Sequence, residues 1–342
     1  MNKTIGTIAA GACALAAGMA AAAADDDALM GYVKGAEVAD VPVVEGRIDA
    51  VSGIVYNQVK SLRAVRQLKM TVFVPRTRAK KAAVVYYPGG GFTSSDHEKF
   101  LEMRYALARA GFVVAACEYR TVPDKFPALV NDAKAAVRFL RAHADEYGID
   151  PDRIGILGDS AGGYLVQMMG ATNGEKTWDV GDFLDQSSDV QAVVSIYGIS
   201  DLASIGEGLG QDAVHHSPAV TEALLLNGPA FKEFAGASIT ADAEKAKNAS
   251  PIGHVDGSEP PFLLMHGSAD KVVSPLQSRR MYEALKAAKT DVEYVLVREA
   301  GHGDLPWYQP SIISRVVNFF TEKLGLPKSE GGEAKSSASD NL

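Results

Sequence analysis

The stretch IDPDRIGILGDSAGG, residues 149–163, decides the fold. Ile154 to Leu157 is a short, continuous apolar run of the kind that forms a strand buried on both faces. Gly158, Asp159, Ser160, Ala161 and Gly162 follow it as G-x-S-x-G, with a helix expected from Ser160 onward. That pattern means little alone and much at the end of a strand and the start of a helix. A serine placed there projects above the sheet from a sharp turn, in a strained backbone conformation. Glycines two residues to either side avoid the clashes that side chains would cause. The same turn aims the Ala161 N–H, at a helix N-terminus, toward negative charge developing beside Ser160. The competing reading is a strand-to-helix turn whose glycines are only structural.

Outward from this stretch the chain alternates β-rich runs with longer helical ones. Residues 68–74, 83–87, 112–118, 190–196, 261–265 and 292–297 read as strands. Residues 99–110, 128–147, 275–288 and 311–324 read as helices. In the 128–147 segment, Ala128, Val130, Ala133, Ala136, Val137 and Leu140 fall on a helical period. Continuous apolar strands, each followed by a helix, predict an α/β fold: a mostly parallel sheet flanked by helices, with function at the strand ends. Residues 198–257 break the rhythm with glycines and short helical patches such as Thr221 to Leu226. This segment is expected to be a cap-like insertion, a plain long excursion being equally compatible. Neither a repeat nor a sustained heptad pattern is visible.

Candidate partners for Ser160 follow from position. Of seven histidines, His302 lies in a loop just after the last expected strand, within Ala300, Gly301, His302, Gly303, where it can reach a serine above the sheet. His97, His143, His254 and His266 read as structural. The adjacent His215 and His216 invite a metal, but neighbours in sequence point to different sides and no second ligand cluster accompanies them, so no metal is expected. The carboxylate should follow the penultimate strand, and Gly267, Ser268, Ala269 lead directly to Asp270. Asp256 and Glu259 precede that strand, and Glu299 is too near His302 in the chain. The chain order Ser160, Asp270, His302 is the order of a serine triad on this kind of sheet.

With PGGGF (88–92), EYRTVPDKFP (118–127), IDPDRIGILGDSAGG, ASPIGHV and PPFLLMHGSADKVVSPLQS, the chain resembles the α/β-hydrolases of the BD-FAE-like carbohydrate-esterase group, related to the hormone-sensitive-lipase-like carboxylesterases. The resemblance covers about Met70 to Leu324. It implies a serine-dependent carboxylic ester hydrolase without metal or organic cofactor. PGGGF resembles the HGGG loop, so the N–H groups of Gly90 and Gly91 join that of Ala161 as the expected oxyanion donors. A phosphate loop is the rival, but neither GxGxxG nor GK[ST] is present. Pro88 stands where the family usually has the histidine that braces this loop, and can brace it instead by fixing φ. Phe92, Trp307 and Tyr308 are the candidate substrate-binding residues. The last two offer an aromatic wall to a sugar ring or aromatic acyl group, with plain packing the equal alternative.

Composition bounds the rest. Lys3, the apolar stretch from Ile5 to Ala16 and the run Ala22, Ala23, Ala24 before Asp25 form a secretory signal over residues 1–24. A membrane-spanning helix would need ~20 apolar residues. An uncleaved anchor and a lipoprotein signal at Cys13 are the alternatives. Export to the periplasm or the outside is expected, with no stable membrane insertion after cleavage. The hydrolase domain is expected over residues 25–327 and a disordered tail over 328–342, where Ser, Gly, Glu and Lys bury no core. Removing Lys3 with the signal takes the formal net charge from −8 to −9, which disfavours nucleic acid and anionic lipid as partners. Cys117, in the apolar run VVAACEY, reads as core and would be the one cysteine left, so no intrachain disulfide is expected. Acetyl or feruloyl esters of plant polysaccharide or oligosaccharide are the expected substrates. A general short-chain carboxylesterase, a peptidase of the same fold and a non-catalytic binding protein on a hydrolase fold are the alternatives.

Overall fold

The computed structural model describes residues 26–43 and 46–326. The expected signal, Cys13 and the tail from 328 therefore lie outside the described residues. The chain divides into two compact units, Met1–Glu45 and Gly46–Leu342. The described part of the first contains one turn of 3-10 helix, Asp26–Ala28. The packed α/β body thus starts at Gly46, later than the expected boundary at residue 25.

That body is built on eight strands: β1 (Ile48–Lys60), β2 (Val65–Pro75), β3 (Lys81–Tyr87), β4 (Val113–Cys117), β5 (Ile149–Asp159), β6 (Ala192–Ile196), β7 (Phe262–Gly267) and β8 (Val292–Val297). They form one sheet in the order β1-β2-β4-β3-β5-β6-β7-β8. The pairs β1·β2 and β2·β4 are antiparallel, and every other pair is parallel. β1 is the strand that sequence periodicity does not announce. Asp49, Ser52, Gly53, Asn57 and Gln58 interrupt its apolar positions, as an edge strand open to water permits.

The helices are α1 (Leu101–Arg109), α2 (Ala128–Ala142), α3 (Ala144–Tyr147), α4 (Ala161–Ala171), α5 (Asp212–His215), α6 (Thr221–Asn227), α7 (Ala243–Asn248), α8 (Leu276–Ala287) and α9 (Pro310–Leu324). The single helix expected over 128–147 is two, broken at His143 (φ −106°, ψ 21°). Strand β3 shows how the layers are made. Ala83, Val85 and Tyr87 join the apolar cluster beneath α2, α4 and α8, whereas Ala82, Val84 and Tyr86 join the one beneath α1 and α9. The two-residue period divides the strand between two cores, which is why its sequence is a continuous run of Ala, Val and Tyr after Lys81.

Residues 198–257 hold α5, α6, α7 and three short 3-10 turns. Leu202, Ile205, Leu225, Leu226, Ile239 and Ala249 of this segment pack into the core on the α2 and α4 side. Tyr164 donates to the Ala249 carbonyl at 2.7 Å and Phe126 N–H to the Leu225 carbonyl at 2.8 Å. The segment is thereby fastened beside the sheet.

Candidate active site

Ser160 stands at the tip of β5 as the residue before α4, with φ 53° and ψ −119°. An L-residue in this region carries strain that only surrounding packing can hold. Its own N–H is tied to the Ile196 carbonyl at 2.9 Å. Two glycines make the turn possible. A Cβ on Gly158 would lie 2.2 Å from the Gly162 carbonyl oxygen, and one on Gly162 would lie 2.0 Å from that of Tyr87.

The loops after β7 and β8 bring two further groups to this tip. His302 Nε2 lies 2.8 Å from Ser160 Oγ, and His302 Nδ1 lies 2.7 Å from Asp270 Oδ2. An ionised carboxylate only accepts, so Nδ1 carries the proton and donates it to Asp270. Nε2 is left to accept from the serine hydroxyl. Asp270 Oδ1 accepts the Val272 and Val273 N–H groups at 2.9 and 3.0 Å. Burial alone would push the Asp270 carboxyl up. Hydrogen bonds from His266 and His302, the charge of His302 and the Val272 N–H outweigh it and hold the carboxyl well below the usual carboxylate range. The three residues singled out in the sequence are therefore brought together, in hydrogen-bonding order.

The glycine loop after β3 forms the opposite wall. Gly90 and Gly91 border the cleft over Ser160, and Ala161 begins α4 beside it. Side chains from outside this loop hold it, beside the φ that proline fixes at position 88. The buried Asp159 carboxylate accepts the Gly89 N–H at 2.9 Å, the Tyr86 hydroxyl at 2.7 Å and Lys99 Nζ at 2.9 Å. Tyr119 donates its hydroxyl to the Pro88 carbonyl at 2.5 Å. The brace is thus a carboxylate from the x position of G-x-S-x-G together with a tyrosine from the loop after β4. Asp159, Lys99 and Tyr119 escape a reading of the sequence because no local pattern marks a residue whose partner is 31 to 73 positions away.

The cleft, of about 350 Å³, is lined by Gly90, Gly91, Lys99, Asp159, Ser160, Tyr197, Val272, His302, Gly303 and Tyr308. Of the three residues expected to meet substrate, Tyr308 is among them. Phe92 and Trp307 are not: they are 2% and 0% exposed. Phe92 packs edge-on against Tyr164 at 5.3 Å. Trp307 donates Nε1–H to the Gly301 carbonyl at 2.8 Å, and so braces the His302 loop from behind. Packing, the alternative weighed for Trp307, is what its burial describes. Tyr197 is a wall residue that the sequence does not reveal. It has φ 40°, follows β6, and sets its ring 4.6 Å from that of His302 and 4.9 Å from that of Trp307. None of the residues lining the cleft comes from 198–257, so among the described residues that segment does not roof the serine as a cap would.

His215 pairs with Glu222, Nδ1 to Oε1 at 2.6 Å. Among the described residues no group of three His, Cys, Asp or Glu side chains is placed to hold a metal ion.

Sheet order, serine turn and strand-tip loops define the α/β-hydrolase fold, and the comparisons with known proteins agree. The BD-FAE family model matches residues 70–285, more than half of the chain. The protein belongs to the BD-FAE family. It is 31% identical over 228 residues to Esterase LipC of Mycobacterium tuberculosis, covering 64% of this chain and 52% of that one. The chain spans about half the length of the curated relatives it matches. Among solved structures it is similar to a truncated carbohydrate esterase from gut microbiota, with 27% identity, a TM-score of 0.68 and coverage of 80% of this chain and 96% of the other. It is also similar to the thermophilic esterase Est2 of Thermogutta terrifontis, with 26% identity, a TM-score of 0.62 and coverage of 83% and 96%.

Proposed function

We propose that this protein is a serine carboxylic ester hydrolase acting by acyl transfer through Ser160. The observation that carries the reading is the unbroken chain from Ser160 Oγ through His302 to Asp270, with 2.8 and 2.7 Å links, facing a glycine loop across one cleft. His302 Nε2 takes the hydroxyl proton as Ser160 Oγ attacks the ester carbonyl. The oxygen that gains negative charge is held by the main-chain N–H groups of Gly90, Gly91 and Ala161. The proton passes from His302 to the leaving alcohol. Water, deprotonated by the same imidazole, then releases the acid and restores Ser160. Asp270 keeps Nδ1 protonated and stabilises the imidazolium formed in each half.

The substrates we assign are short acyl esters, acetyl or feruloyl, on plant polysaccharide or its fragments, met outside the cytoplasm after export by residues 1–24. A cleft of about 350 Å³ suits a small acyl group, and Tyr308 at its edge offers a face to a sugar or aromatic ring. The gut carbohydrate esterase among the structural neighbours supports the alcohol part. LipC, named simply as an esterase, supports the broader reading of a general short-chain carboxylesterase.

The test compares the mature protein with Ser160→Ala on p-nitrophenyl esters from acetate to longer chains, on acetylated xylan and on methyl ferulate. Turnover on short esters that falls by a factor on the order of 10⁴ or more in the variant is expected. Absence of Ser160-dependent turnover on every ester removes the enzyme reading, and activity confined to long chains removes the carbohydrate one.

A further inference from the structure

His266, one of the histidines that sequence position assigns to structure, ends β7 with its side chain fully buried. Its Nε2 faces two groups, the Val273 carbonyl oxygen at 3.1 Å and Asp270 Oδ2 at 3.3 Å. Neither carries a proton, because one is a carbonyl and the other an ionised carboxylate. A bare nitrogen facing both would be repelled, so Nε2 bears the hydrogen. Nδ1, 2.7 Å from the hydroxyl of the buried Ser278 on α8, then accepts from that O–H. The surroundings of this ring thus select one tautomer.

Asp270 Oδ2 is also the oxygen that receives His302 Nδ1–H. Two imidazoles converge on one carboxylate oxygen, while Val272 and Val273 N–H occupy the other. On the reading of Ser160, His302 and Asp270 as a working triad, we propose that His266 is a positioning residue for it: its Nε2–H fixes the plane of the Asp270 carboxylate and shares the charge on Oδ2.

The consequence for catalysis has a definite sign. A carboxylate oxygen that already accepts one N–H is a weaker acceptor for a second. His266 therefore limits how firmly Asp270 holds the imidazolium form of His302, and keeps the base free of its extra proton further into acid. Without that bond the imidazolium is held more firmly, and the acid limb of kcat/KM moves to higher pH. The other titratable groups nearby do not supply the effect. Burial pushes the Tyr197 phenol up, so it stays neutral. On α8, Arg279 is paired with Glu283, and Arg280 with Asp201 and Glu207.

Two measurements on the full chain test this. Imidazole ¹⁵N NMR reads the His266 tautomer without any substrate, and a protonated Nε2 with an unprotonated Nδ1 is expected. Protonation at Nδ1 overturns the proposal whether or not the protein hydrolyses esters, so this arm stands apart from the esterase reading. The second compares His266→Leu, which deletes the donor, with His266→Gln, whose amide can reach Oδ2, and with Ser278→Ala, which releases Nδ1; circular dichroism and Tm identify any variant that fails to fold. The Leu variant is expected to lose about tenfold in kcat/KM with an acid limb displaced upward by about half a pH unit, and the Gln variant to recover most of both. An unmoved acid limb in the folded variants, or Gln no better than Leu, overturns it. Should His266→Leu not fold, Ser278→Ala carries the comparison: with Nδ1 released it is expected to lose part of kcat/KM and to move the acid limb upward, and wild-type kinetics with an unmoved acid limb in that variant overturn the proposal.

Discussion

The main-chain N–H of Gly89 is held by the side chain of Asp159, the residue immediately before Ser160, across 2.9 Å. The nucleophile turn and the glycine loop are therefore joined through one carboxylate. A Cβ on Gly89 would lie 2.8 Å from Asp159 Oδ2 and 2.8 Å from the Ser160 Cβ, so the two segments approach as closely as their atoms permit. Asp159→Ala would free the loop and leave the Gly89 N–H and the Tyr86 hydroxyl without their acceptor. Loss of one well-placed oxyanion donor costs on the order of 10²–10³ in kcat. Asp159→Ala is expected to lose about 10²-fold in kcat with little change in KM, read on p-nitrophenyl acetate. An unchanged kcat in a folded variant would refute the coupling.

The same geometry separates Pro88 from its neighbours. Its carbonyl takes the Tyr119 hydroxyl, and the adjoining N–H is taken by Asp159. Tyr119→Phe leaves the buried Pro88 carbonyl unpaired, at a cost of about 1–3 kcal/mol. That variant is expected to lower both the urea midpoint and kcat. Pro88→Ala keeps the carbonyl and its bond, and is expected to stay within about threefold of wild-type kcat. The comparison is made by urea unfolding followed by intrinsic fluorescence, with kinetics on the same preparations.

These two loops also show what a sequence can and cannot disclose. Strands β3, β4, β5, β6 and β7 were legible because their central residues are buried on both faces and form mostly apolar runs, and β8, at the far edge and only partly buried, because Val292, Tyr294, Val295, Leu296 and Val297 still make a β-rich run. β1, exposed at the sheet edge, mixes polar with apolar residues and was not. Ser160, Asp270 and His302 were legible because their places are set relative to strand ends, which the sequence marks. Asp159, Lys99 and Tyr119 act on partners distant in the chain and defined only by packing, and a local pattern holds no trace of that; His266 is only four residues from Asp270, but nothing in the sequence shows that its ring turns toward that carboxylate. Phe92 and Trp307 misled because an aromatic residue beside a catalytic loop looks alike in sequence whether its ring faces the cleft or the core.

Asp270 gives a prediction with a sign. Its carboxyl is held well below the usual carboxylate range in the folded protein, so the folded state binds that proton less readily than the unfolded chain. The stabilisation is fully present above the unfolded value of about 3.9, and is lost as pH falls through the lower folded value. Asp270→Asn removes this contribution. Its stability deficit against wild type, measured by urea midpoint, is expected to be largest at pH 6–7 and to narrow below pH 4. Its kcat is expected to fall on the order of 10⁴-fold, since an amide can stabilise the wrong imidazole tautomer.

Cys117 is the last residue of β4, an interior strand of the sheet, and has no exposed surface. Burial pushes its thiol pKa well up, with the Glu118 charge adding to the effect, so the reactive thiolate is disfavoured and shielded together. In a Cys13→Ser background, a thiol reagent at pH 8 is expected to leave the native protein unmodified over hours and to label it within minutes in urea. Rapid labelling of the native protein would show that this part of the core opens.

Trp307 and Tyr308 are adjacent yet face opposite tasks, and their variants should separate cleanly. Trp307 is fully buried, touches the Tyr197 ring and donates to the Gly301 carbonyl next to His302. Trp307→Ala removes a large core side chain, at about 3–5 kcal/mol. Trp307→Phe keeps most of the packing and loses the hydrogen bond to the half-buried Gly301, at about 0.5–1.5 kcal/mol. Both are expected to lower Tm, and the Phe variant to lower kcat because the His302 loop loses its tether. Tyr308 is 36% exposed and rests edge-on against Phe100 at 5.2 Å with its ring on the cleft. Tyr308→Ala is expected to leave Tm within a few degrees of wild type and to spare kcat on p-nitrophenyl acetate. It should raise KM several-fold on acetylated xylo-oligosaccharide or methyl ferulate, whose rings extend past the acyl carbonyl toward that face. Equal KM changes on the small and the ring-bearing esters would show that Tyr308 borders the cleft without meeting substrate.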